Sequence, residues 1–222
     1  MRKANAAADA RSATPSLARR EREKAETRRL ILGTARALFT RGGYHNTTMR
    51  RIADRIGYTA TAIYHHFADK ESLMLELCAG DFRELGRALT SIGRVADPIE
   101  RIRQMGRAYV RFALEHPEQF RFMFLIERPM PGPEEVHRLD PGEDGYQFLL
   151  GSVREAMAQG RFRPEFRDPD VVAQSLWAAV HGIATIHVNT PEVGHKWLDL
   201  RDPLETADVC CDALMQGLLQ AP

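Results

Sequence analysis

Nothing in these 222 residues approaches the roughly 18–20 consecutive apolar residues needed to cross a bilayer, so no membrane partner is expected. Cysteine is scarce. The three present, Cys78, Cys210 and Cys211, are an odd number without metal-ligand spacing. That excludes a disulfide scaffold and fits a reducing cytoplasm. The N-terminal stretch is charged but has no apolar h-region, so it does not read as a secretory leader. Catalytic signatures are missing as well: no nucleophile elbow, no Gly-rich phosphate loop, no paired His-Glu zinc motif. Glu115-His116 and Glu192 with His195 read as surface scatter, and His181 and His187, six apart, fall on different faces of a helix. No enzyme, cofactor or metal site is therefore expected. There is also no convincing alternating strand and no internal repeat.

What remains is ordinary globular composition, 44% apolar and 27% charged, with a hidden charge asymmetry. Residues 1–75 carry 15 Lys and Arg against 7 Asp and Glu, leaving 16 against 23 in the rest. A basic first third on a mildly acidic body points to a polyanion as its partner. The chain reads as all-α, with about nine helices. Residues 1–20 are Ala-, Ser- and Arg-rich and read as a disordered basic tail. Ile31, Ala35, Leu38 and Phe39 then share one helix face, and Gly42-Gly43 stops that helix. Thr47 or Thr48 caps a helix through Ile52 and Ala53 to Gly57, a short helix follows over 59–67, and Asp69 caps a longer one. Asp97-Pro98-Ile99-Glu100 and Asp202-Pro203-Leu204-Glu205 each set a carboxylate cap before a proline at the first helical position, and Asp168-Pro169-Asp170 is a near relative. His116-Pro117 separates two helices, and 129–145, rich in Pro, Gly and acids, reads as a loop.

The run from Met49 to Phe67 has the logic of two helices crossing closely. Ala53 is small, Gly57 suits a left-handed turn, and Ile52, Ile56 and Ile63 fill the space between. Ala53, Gly57 and Ile63 have the spacing of a helix-turn-helix. With 59–67 as the recognition helix, Thr59, Thr61 and His65 face base edges. Tyr64 and Lys70 sit at the rim, suited to phosphate, as is Thr48 at a helix N-terminus; Arg50 reaches a base or a phosphate. In the tail, Arg11, Arg19 and Arg20 are either a minor-groove arm or a solubilising extension.

These residues carry a resemblance. The run from Thr47 to Leu77, above all Ile63-Tyr64-His65-His66-Phe67 with Asp69-Lys70-Glu71, resembles the N-terminal domain of the TetR/AcrR family, as does Phe39-Thr40-Arg41-Gly42-Gly43-Tyr44. The match covers residues 24–78. It implies a homodimer with one such module per subunit and a larger helical domain that binds an effector. It also implies that Thr48, Arg50, Thr59, Thr61, Tyr64, His65 and Lys70 occupy DNA-contacting positions, with Ala60 among them. Ala60 and Ala62 stand where many members carry polar residues or Gly. The expected division is a tail over 1–20, a DNA-binding domain over 21–68, a connecting helix over 69–96, and an effector-binding and dimerisation domain over 97–222.

In that last part Trp177 and His181 share a helix face and Gly182 permits close approach of another helix. This resembles the Trp-His-Gly (WHG) subfamily of TetR C-terminal domains, as does 109–124. Tyr109, Phe112, Phe120, Met123, Phe124, Trp177 and His181 are either core or the walls of a pocket for a small hydrophobic or amphipathic effector. His181 is an effector donor or a satisfied core histidine. The last two helices, 169–188 and 203–219, are expected to form the homodimer; Leu204, Cys211, Leu214 and Leu218 with Val209 and Ala213 make the second apolar. Cys210-Cys211 reads as packing rather than redox chemistry. The expected function is a cytoplasmic, DNA-associated repressor on a palindromic operator of double-stranded DNA, released by its effector. The alternatives are an effector-independent regulator or activator and, more distantly, a helical partner protein that binds no DNA.

Overall fold

A computed structural model describes residues 5–125, 143–189 and 199–220, with side chains from residue 17 onward. The described residues form nine helices, and their only extended pairing is an isolated bridge between Phe162 and Leu219. The chain divides into two compact units, Met1–Leu77 and Cys78–Pro222, with the division inside the fourth helix. The expected loop before Gly145 lies mostly outside the described residues, as do Glu192 and His195.

In the first unit, α1 runs from Asn5 to Gly42. This corrects the expectation of a disordered tail over 1–20: helix extends back through most of that segment. The physical reason is composition, since Ala and Arg are strong helix formers and Arg19 pairs with Glu23 one turn on at 2.8 Å. Residues 17–26 are nonetheless exposed, and burial begins only with Ile31, Ala35 and Phe39. Gly43, at φ +79°, ends the helix in the left-handed region. Thr48, not Thr47, caps α2 (Met49–Ile56); Thr47 is buried and donates to the Gly43 carbonyl at 3.0 Å. Gly57, at φ +72°, makes the turn to α3 (Ala60–Tyr64), which is shorter than expected: 65–67 continue as hydrogen-bonded turn. Ile52, Ala53 and Ile63 are fully buried where α2 meets α3, but Ile56 is only half-buried. Asp69 and Ser72 cap α4 (Lys70–Thr90) reciprocally, Asp69 accepting from the Ser72 N–H at 2.7 Å.

The second unit is built around α5 (Pro98–Glu115), which packs on α7 (Gly145–Ala158), α8 (Pro169–Asn189) and α9 (Pro203–Leu218). His116 breaks the chain between α5 and α6 (Pro117–Phe124), as the His-Pro pair implies. Asp97 and Asp202 cap α5 and α9, each accepting two N–H groups. Gly106 lies where α5, α8 and α9 meet: an added Cβ would stand 2.9 Å from Cys211 Sγ and 3.2 Å from Val180 Cγ1. Cys211 is buried there, and burial pushes its thiol up to about 11, so it is a packing group rather than a reactive one.

α8 alone among the described helices is long and apolar enough to cross a membrane, yet Val172, Leu176, Val180, Ala184 and Val188 bury its inner face in the core. Its outer face, and that of α9, carry apolar or small residues. Val171, Ile186 and Val209 are exposed at 59%, 49% and 65%. An added Cβ at Gly182 or Gly217 would meet nothing within 4 Å. Cys211 instead points into its own chain, and Leu204, Leu214 and Leu218 pack against the same chain's core.

Candidate nucleic-acid interface

The two caps of the helix-turn-helix are also members of the expected DNA-contacting set. Thr48 accepts from the Arg51 N–H at 3.1 Å and Thr59 from the Ala62 N–H at 3.2 Å. Each hydroxyl thus spends acceptor capacity on its helix and keeps its own proton to donate outward. Thr48, Arg50, Thr59, Thr61, Tyr64 and His65 are all exposed, while Ala60 is half-buried. On α3 and its following turn, Thr61, Tyr64 and His65 stand at i, i+3 and i+4, one face. Ile63 and Phe67 on the opposite side are buried. Tyr64 is 53% exposed, a large aromatic side chain held in solvent. Arg50 lies 4.0 Å from Asp54, an exposed pair that leaves its guanidinium available.

Lys70 is placed differently from a simple rim lysine. Its ammonium donates to the Tyr44 carbonyl at 2.8 Å and lies over the Tyr44 ring, 4.0 Å from the centroid. The same ring rests on Phe39 at 5.5 Å, and burial holds its phenol proton above the ordinary range. Lys70 thereby ties the first turn of α4 to the end of α1.

One residue that sequence reasoning missed organises the unit. Arg28 of α1 makes a two-pronged pair with Glu76 of α4, donates to the His66 carbonyl at 2.6 Å and lies 4.2 Å over the Phe67 ring. Nothing in the sequence separates it from its neighbour Arg29, because its partners are 38 to 48 residues away. The His66 imidazole stays below its ordinary pKa, through burial first and then the charge of Arg28.

Sequence models place this geometry. Residues 31–77 match the model described as "Bacterial regulatory proteins, tetR family", and residues 102–211 match "Tetracyclin repressor-like, C-terminal domain". The HTH-type transcriptional repressor KstR2 of Mycobacterium tuberculosis is 30% identical over 157 residues, covering 68% of this chain and 78% of the repressor. The chain belongs to the TetR family. Among solved structures, the TetR-family regulator PfmR of Thermus thermophilus is 25% identical with a TM-score of 0.66, covering 86% of this chain and 96% of that one. KstR2 itself, at 22% identity, has a TM-score of 0.60 over 88% and 96%. This TetR-family chain is a DNA-binding transcriptional regulator, not an enzyme.

In the second unit of the TetR-family chain, four of the seven residues expected at an effector pocket, Tyr109, Phe120, Phe124 and Trp177, gather around a fifth, His181. The Tyr109 hydroxyl lies 2.8 Å from His181 Nδ1, and the rings of Phe124, Phe120 and Trp177 stand 4.9, 5.5 and 5.5 Å from the imidazole. Burial pushes the Tyr109 phenol up and the His181 imidazole down, so both are neutral near pH 7. Met123 is buried nearby, and Phe112 stacks instead on His116 at 4.8 Å. Phe112 is the only one of the seven that borders the open groove of about 620 Å³ beside α4 and α5, with Ile92, Ala108 and Arg111. The two ring nitrogens of His187 face the carbonyls of Ile183 and Arg201 at 2.8 and 3.1 Å.

Proposed function

We propose that this TetR-family chain is a cytoplasmic homodimeric repressor that reads a palindromic operator through the exposed face of α3. The observation that carries the reading is the pairing of two threonine-capped helices around Gly57 with Thr61, Tyr64 and His65 turned outward. Thr59, Thr61 and His65 face base edges. Thr48, Tyr64 and Lys70 contact phosphate, with Arg50 at either and Ala60 close enough to touch a thymine methyl. A helix this short reads few bases alone, so two copies roughly 34 Å apart are needed for a specific site.

The second copy docks through α8 and α9. Val209, Ala213 and Gly217 repeat at i, i+4 and i+8 along the exposed face of α9, and exposed Ala178 and Ile186 flank half-buried Gly182 at the same spacing on α8. Gly182 and Gly217 have free space within their own chain, which supports close approach by another. The assignment to the Trp-His-Gly subfamily rests on Trp177, His181 and Gly182. For the small hydrophobic or amphipathic effector, the open groove has a volume in the range of ligand sites, and its mixed lining, with Arg107, Arg111 and Glu115 beside Ile92, Ala108 and Phe112, favours an amphipathic one. The effector releases DNA only by binding the released form more tightly.

A mobility-shift titration with duplexes from the DNA flanking the gene tests this. Saturable binding to one duplex, resistant to excess unrelated duplex, is the expected result. Equal binding to every duplex overturns the reading.

A further inference from the structure

α4 is one unbroken helix whose residues 70–77 belong to the first unit and whose later residues belong to the second. Within the first unit, one guanidinium joins this helix to the end of the recognition helix. Arg28 Nε donates to Glu76 Oε1 at 2.8 Å, Nη2 pairs with Glu76 Oε2, and Nη1 donates to the His66 carbonyl at 2.6 Å. The plane of the guanidinium covers Phe67, which is itself 3% exposed beneath it. His66 and Phe67 directly follow α3, two and three residues beyond Tyr64.

An arginine is suited to this in a way lysine is not. The carboxylate fork fixes the guanidinium plane, the plane fixes the stack on Phe67, and the remaining edge donates to a backbone carbonyl. The Arg28 and Glu76 side chains are 35% and 33% exposed, so their attraction is well screened and adds little to stability. Its effect is directional: three donors and one ring face set where the chain after α3 sits relative to α4. Arg28 is also poorly placed as a phosphate ligand, because the Glu76 carboxylate occupies its fork and repels an approaching anion.

We propose that Arg28 is a positioning residue for operator recognition, locking the end of α3 to α4 so that the angle of the recognition helix follows α4. The proposal rests on the reading of Thr61, Tyr64 and His65 as the DNA face. By this account the ion pair sets operator affinity without touching DNA, and any change in the first two turns of α4 is felt at His66.

The test uses the full-length protein and fluorescence anisotropy, with the highest-affinity duplex selected from a random pool and a scrambled duplex of equal length. Arg28→Gln is expected to weaken selected-duplex binding about 10-fold, on the scale of a lost charge-assisted hydrogen bond. Scrambled-duplex binding and the salt slope stay as in the wild type. Glu76→Gln is the sharper arm. Removing a negative charge near DNA should tighten binding by electrostatics, whereas the positioning role requires it to weaken selected-duplex binding. Arg28→Lys keeps the charge without the fork and should lose most of the same affinity, and the Arg28→Gln/Glu76→Gln pair should lose no more than either alone. Three results overturn the proposal. The first is a fall in both affinities with a salt slope shallower by about 0.9, which marks a phosphate contact. The second is unchanged or tighter binding by Glu76→Gln. The third is a loss that vanishes once affinities are referred to the folded fraction measured by circular dichroism. Should Thr61→Ala and His65→Ala leave selected-duplex binding intact, the DNA-face reading fails separately.

Discussion

Replacing Gly106 by alanine isolates the packing at the centre of the second unit. In a helix interior the change by itself is favourable by about 1 kcal/mol, because alanine loses less backbone entropy. Here the new methyl would lie 2.9 Å from Cys211 Sγ and 3.2 Å from Val180 Cγ1, against about 3.5–4.0 Å for an ordinary contact. Val180 is β-branched and stiff about χ1, and Cys211 is buried, so neither moves aside freely. Overpacking of this kind costs about 1–3 kcal/mol. The net expectation is destabilisation by up to about 2 kcal/mol, with the helix preference subtracted. Gly151→Ala on α7 is the control, since its Cβ meets nothing within 4 Å; it should stabilise by about 0.5–1 kcal/mol. Cys211→Ala removes the obstructing sulfur, so the Gly106→Ala/Cys211→Ala pair should be less destabilised than the sum of the singles by at least about 0.5 kcal/mol. Urea unfolding at one fixed protein concentration measures all four, because a dimer's stability depends on concentration. A Gly106→Ala protein stabilised to the same extent as Gly151→Ala, or strictly additive double-mutant energies, would refute the three-helix crossing.

Val209→Lys places a charge on the exposed stripe of α9, and sedimentation should show a folded monomer that has lost specific DNA binding; a dimer of unchanged affinity would remove α9 from the interface. Thr61→Ala should lower affinity for the preferred duplex by about 1–3 kcal/mol and relax preference at one base pair, whereas Tyr64→Phe should weaken all duplexes alike. Asp97 is held below the usual carboxylate range, first by the Glu100 N–H, against the opposing effect of burial, and then by the Ile99 N–H and Arg161. A depressed folded pKa means that its contribution is present above the ordinary carboxylate pKa and is lost as pH falls through the folded value. Asp97→Ala should therefore cost about 0.5–2 kcal/mol at pH 7, as a lost helix cap, and the difference from wild type should shrink below about pH 4 in thermal melts.

Local chemistry was legible wherever the cause lies within a few residues. Gly43 and Gly57 take left-handed backbone, Thr48, Asp97 and Asp202 cap the helices that follow them, and the break at His116 falls where proline forbids continuation. The limits were local too. Helix propensity over the Ala- and Arg-rich tail was read as disorder because so few of its side chains are large and apolar, yet α1 reaches back to Asn5. The helix over 59–67 stops short at Tyr64, because nothing in 65–67 marks where α-helical bonding gives way to turn.

The sequence by itself determined the all-α class and the helix-turn-helix with its outward residues, which follow from periodicity, caps and short-range spacing, and it carried the resemblance to the TetR family in the run from Thr47 to Leu77. Only the tertiary structure decided which long-range partners those residues take. It seated Lys70 on Tyr44, set Arg28 between Glu76, His66 and Phe67, turned Cys211 inward against Gly106, and brought the rings of Tyr109, Phe120 and Phe124 to His181. Those pairings span 26 to 105 residues of chain. A spacing rule sees only neighbours on one helix, whereas a contact between helices depends on how their faces meet in space. The helix-turn-helix is thus written in the sequence, but what holds its reading helix in place is not.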